Sequence, residues 1–152
     1  MAANAKIGNI VAFQIYGRVF KDFGDGDNIT IVFPNELAGM KTGKNGSTLA
    51  VQNETGRQGD VSIRFVRGSE DDKFLNTQLI QQKNDFAATA FASGEVVMRV
   101  GDGSGNISQD RHILNAGMIV KNPDMKDNAE GDTEAAIVIW EMKFGSVERA
   151  IS

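Results

Sequence analysis

Reactive chemistry in this chain would have to come from one histidine, hydroxyls and carboxylates, because cysteine is absent from its 152 residues. His112 follows Asp110 and Arg111, so an imidazole oriented by a nearby carboxylate is the general-base arrangement on offer. Such a base needs a nucleophile within hydrogen-bond reach, and no serine or threonine spacing nominates one. A histidine at the surface or at a strand edge explains the same residues more simply. Zinc bound by His112 would need carboxylates for its other ligands, an uncommon set. The sequence therefore nominates no catalytic residue, no metal ligand and no cofactor.

Two polar clusters have the oxygen-rich spacing of calcium loops: Asp22, Asp25 and Asp27, and Asp102, Ser104 and Asn106. A helix-loop-helix calcium site also demands glycine at its sixth loop position and glutamate at its last. Counted from Asp102 those places hold Ile107 and Ile113. Counted from Asp25 they hold Thr30 and Glu36, with Ile29 where an oxygen donor belongs. Both clusters read as turns. Residues 39–45, Gly-Met-Lys-Thr-Gly-Lys-Asn, imitate a phosphate-binding loop, but one residue is missing between the glycines and asparagine stands where Ser/Thr must meet magnesium.

The elements that would position any site are mostly strands. Residues 29–33 are β-branched and aromatic, follow the turn-rich segment 24–28 and stop at Pro34. Residues 35–46 read as a long exposed loop. Beyond it, 47–53 and 61–66 are expected to pair as antiparallel strands, with Val61, Ile63 and Phe65 on one face and Ser62, Arg64 and Val66 on the other. Ser69 caps a helix whose first turn holds Glu70, Asp71 and Asp72, and whose apolar stripe runs through Phe74, Leu75 and Leu79 to an end near Asn84. Residues 86–93 fit either more helix or a buried connection. Strands follow at 95–100, at 113–121 after a glycine-rich turn, and at 135–144 around Trp140, with a polar acidic connection through Asp132 between the last two. The whole reads as a single domain over residues 1–152, mainly β with one packed α-helix, forming a β-barrel or sandwich of about six to seven antiparallel strands.

Charge narrows the function classes. The sequence carries 16 Lys+Arg against 20 Asp+Glu, a net charge of −4, which repels phosphate backbones. No stretch approaches the ~20 apolar residues of a membrane span, and the first residues lack a secretory pattern, so a soluble cytoplasmic product is expected.

Residues 59–76 (GDVSIRFVRGSEDDKFLN), 86–106 (FAATAFASGEVVMRVGDGSGN) and 135–141 (AAIVIWE) resemble tail tube proteins of contractile-tailed bacteriophages, and the likeness follows the strand and turn order through most of the chain. The resemblance implies a non-enzymatic structural virion protein assembled in the host bacterial cytoplasm. Hexameric rings would stack into a tube, each subunit lending about four strands to an inner β-barrel. The sheath, baseplate and tail terminator proteins would be partners, and genomic DNA would pass through the lumen without specific binding. Some two dozen strands at about 4.8 Å spacing give a circumference near 115 Å and a diameter of roughly 37 Å, wide enough for a duplex.

In that setting Leu37, Met40, Lys41 and Lys44 are expected to make contacts between subunits or rings, Lys41 and Lys44 against the acidic segment 124–134 of a neighbour. Thr30, Ser62, Arg64, Glu141 and Lys143, the polar alternates of the strands, are expected on a lumen or solvent face. Two other readings stand beside it: a tube protein of a type VI secretion system passing effector proteins, and a monomeric ligand-binding or hydrolytic β-domain around Asp110 and His112.

Overall fold

The computed structural model describes residues 2–127, 130–131 and 133–152. Among the described residues, nine strands and one α-helix are laid out in chain order. They are β1 (Lys6–Ile15), β2 (Arg18–Val19), β3 (Ile29–Val32), β4 (Ala38–Thr42), β5 (Thr48–Gln52), β6 (Gly59–Val66), α1 (Glu70–Asn84), β7 (Ala92–Gly101), β8 (Ile107–Lys121) and β9 (Ile137–Ile151). Seven strands form one antiparallel sheet in the order β2-β1-β7-β8-β9-β6-β3, and it does not close on itself. β4 and β5 form a separate two-stranded hairpin. The mainly-β architecture with one helix is thus the one anticipated, as an open curled sheet.

Curling follows from the side chains. Phe13, Ile15, Val96 and Leu114 from one half of the sheet share a single core with Val61, Ile63, Phe65, Trp140, Met142 and Phe144 from the other. The corner lies where β8 and β9 change the side they turn inward. Leu114 and Gly117 are both buried on β8, and Phe144 and Val147 on β9, at an odd spacing that strict alternation forbids. Ala116, between the first pair, has φ +57°, and the second pair flanks Gly145. Gly117 is required at this corner: a Cβ there would run into the ring of Phe144, its neighbour across the strands.

The helix lies over the core as its stripe demands, with Leu75 and Leu79 buried. Ser69 Oγ accepts from the Asp72 amide at 3.3 Å, and Asp72 accepts from the Gly68 amide at 2.9 Å. The other Asp72 oxygen accepts from the indole of the fully buried Trp140 at 3.0 Å, joining helix start to sheet centre. Gln82 completes the tie by donating to the Ile119 carbonyl at 2.7 Å.

Four expectations need correction. Residues 35–46 are not a loop throughout: β4 occupies 38–42 and pairs with β5. Accordingly 47–53 does not pair with 61–66; β6 lies between β9 and β3 instead. A short turn at 43–46 wins that competition, since the Gly43 amide donates to the Ser47 carbonyl at 2.7 Å and Gly46 supplies φ +86°. The last two strands are longer than their apolar runs, because β8 takes in Asp110 and His112 and β9 extends to Ile151. The connection after α1 is not buried, since Phe86 and Phe91 are exposed.

Candidate self-assembly surfaces

The Asp110 and His112 side chains lie on the inward side of β8, where that strand runs past the end of the core, as the half-buried alternates 108, 110 and 112 indicate. Arg149 on β9 donates from Nε and Nη2 to both Asp110 oxygens at 2.9 and 3.0 Å. That bidentate pair holds the Asp110 carboxyl below its ordinary range and raises the Arg149 guanidinium above its own. His112 Nδ1 stands 3.9 Å from the same carboxylate, beyond hydrogen-bond length. The carboxylate therefore ties β8 to β9 and does not orient the imidazole. The Asp102 cluster is a turn device as well: its oxygens accept from the Ser104 amide at 2.7 Å, and from the Asn106 side chain and amide at 2.8 and 3.2 Å. The Asn106 side-chain bond leads the causes that lower the Asp102 carboxyl. Among the described residues no three His, Cys, Asp or Glu side chains converge as metal ligands would.

The polar alternates of the β3–β6–β9 end do share one face. Thr30 pairs with Ser62, Ser62 with Glu141, and Asp60 with Lys143 across the strands. Arg64 projects from the same side but is claimed by Asp25 at 3.2 Å and Glu134 at 2.9 Å, the Asp25 bond foremost in raising its pKa. Val32, Val120 and Ile139 are exposed among these polar groups.

A second outward face lies on β1, β7, β8 and the far half of β9. Its rows run Gln14, Glu95, Ile113, Glu148, and beside them Arg99 with Gln109 and Arg111 with Ala150. Glu95 and Arg111 form an ion pair at 3.7 Å. The residue alternation that marks this face was readable at 95–100, but its extent was hidden. β1 holds two register shifts against β7, which break the simple period, and the polar residues 107–112 masked half of β8.

Both sheet edges are open among the described residues. β2 pairs only with Gln14 and Ile15, leaving residues 6–12 of β1 without a neighbour on the outer side, and β3 is the terminal strand at the opposite edge. The β4–β5 hairpin, here called the arm, follows β3 in the chain and pairs with no strand of the large sheet. Every one of its ten strand residues is exposed. Met40 is 71%, Leu49 63% and Val51 73% accessible, and Leu37 at its base is 65%. Of the residues expected to make contacts, Leu37, Met40, Lys41 and Lys44 thus fall together on the arm. Leu49 and Val51 were missed because their segment was assigned to the body of the sheet. Asp132, part of the acidic segment proposed as their counterpart, lies outside the described residues.

No helix among the described residues is long and apolar enough to cross a membrane. No protein-family model matches the chain, and no curated protein matches it significantly.

Proposed function

We infer that the chain is a structural subunit that polymerises through its sheet edges and its arm into a hollow, ring-stacked tube of the contractile phage-tail kind. The observation that carries this reading is the arm: two strands with no core beneath them, presenting Met40, Leu49 and Val51 to water. An isolated two-stranded hairpin is at best marginally stable, and exposed apolar clusters mark contact surfaces. A second copy supplies both the missing layer and, at the open edges, the missing strand neighbours.

On this reading β1, β7, β8 and the far half of β9 line the bore, four strands per subunit, as the resemblance to tail tube proteins implies. Their outward charges nearly offset, Glu95 and Glu148 against Lys6, Arg99 and Arg111, among Gln14 and Gln109. A wall with so small an excess of cations, part of it paired with Glu95, gives a sliding polyanion little to hold, because each phosphate held needs a cation to neutralise it. Thr30, Ser62, Glu141 and Lys143 then face away from the bore, and the role of the protein is passive conduction of DNA without catalysis.

Electron microscopy of the purified protein at high concentration tests the reading. Hollow rods of uniform diameter are expected. Persistent monomers under all conditions, or solid fibres with no bore, contradict it.

A further inference from the structure

We propose that the arm of one copy docks on the outward face of β3, β6 and β9 of a second copy, a contact that rests on the self-assembly reading above. The acceptor is a groove of about 330 Å³ whose lining includes Thr30, Val32, Asp60, Ser62, Val120 and Glu141. Within one copy both partners are bare: Leu49 and Val51 on the arm, and Val32 and Val120 in the groove, are all exposed.

Charge selects the pairing. Between residues 38 and 52 the arm carries Lys41 and Lys44 and no acidic residue. The groove offers Asp60 and Glu141. The cation beside Glu141, Lys121, is already shared with Asp124, at 4.0 and 3.5 Å, so the acidic character of that rim persists. Lys143 is the one further cation in the lining. Shape agrees as well. Leu49 and Val51 project from one side of the arm, two residues apart, so a two-stranded layer can lie flat on the sheet at the roughly 10 Å separation of packed sheets. The result covers the polar and apolar alternates of the β3–β6–β9 end together, and leaves the nearly charge-balanced face on β1, β7 and β8 for the bore.

Because the chain has no cysteine, introduced thiols report unambiguously. Leu49→Cys and Ser62→Cys variants, mixed at assembling concentration and oxidised, are expected to yield a mixed disulfide between residues 49 and 62, identified by mass spectrometry. Lys41→Glu with Lys44→Glu in the first variant should lower its yield at least tenfold at low salt. Asp60→Lys with Glu141→Lys in the second should restore it. Rods that form without the mixed disulfide, or with a disulfide between two Leu49→Cys copies instead, overturn the docking and leave the tube reading standing. A yield indifferent to charge reversal overturns the electrostatic pairing on which the choice of groove depends. Failure of the unmodified protein to assemble overturns both.

Discussion

Asp71 shows how much a single side chain contributes without touching any binding surface. It is fully buried in the first turn of α1, where it accepts from Arg18 Nε at 2.9 Å and from the amides of Lys21 and Asp22 at 2.7 and 2.8 Å. Burial alone would push its carboxyl up, but the two amides and the guanidinium together outweigh burial and lower it below its ordinary value of 3.8. A depressed carboxyl stabilises the fold fully above the unfolded value, and the contribution fades as pH falls through the native one. Asp71→Ala should cost about 3 kcal/mol at neutral pH, because the half-buried Arg18 guanidinium and two amides lose their buried partner. The gap between the two proteins in denaturant titrations should begin to shrink as pH falls below about 4, and close only as pH passes through the lowered native value, where the wild-type carboxylate is protonated; a pH-independent difference contradicts the assignment. Sequence reading saw Asp71 only as a first-turn acid favoured by the helix dipole. Its burial could not be read, because its partners come from residues 18–22, about 50 positions away.

At the scale of elements, α1 was the most legible piece: Ser69, the acids behind it and the Leu75 and Leu79 spacing set its start and its packed side using local chemistry alone. Strand pairing was less so. Residues 47–53 alternate as well as 61–66 do, and the choice of partner fell to the turn at 43–46, whose Gly43 and Gly46 close a hairpin more cheaply than a longer loop can. The corner in β8 and β9 was invisible for a different reason, since it depends on one ring packing over one missing Cβ. Gly117→Ala should therefore destabilise the protein by about 1–3 kcal/mol, the usual cost of overpacking, and the Phe144→Leu background should relieve part of it. Thermal unfolding of the two single variants and the double variant reads this coupling. Additive losses would mean that the corner does not depend on the contact between these two residues.

For the whole molecule, the open sheet and uncovered arm make the monomer an incomplete structure, and the proposed tube completes it. The candidate surfaces were only half legible from sequence, because Leu37, Met40, Lys41 and Lys44 stand out as apolar and basic residues in a polar stretch, whereas the set on β1 and β7 proposed to face the bore emerges only from cross-strand register. The proposed bore makes its own prediction. Glu95→Lys with Glu148→Lys, repeated around every ring, should turn an indifferent wall into one that retains short duplex DNA, with retention falling as salt rises. Co-sedimentation of assembled tubes with DNA across a salt series measures it, and retention equal to that of the wild type would move the bore to another face. The central claim, that the sheet finds its missing neighbours in other copies, is tested most directly by amide hydrogen exchange compared between assembled and dispersed protein. Residues 6–12 of β1 and 29–32 of β3, the two open edges, should gain protection on assembly on the amides that point outward, while the β8–β9 ladder stays unchanged. Equal exchange at both edges in the two states, or failure of concentrated protein to give an assembled fraction, would contradict it.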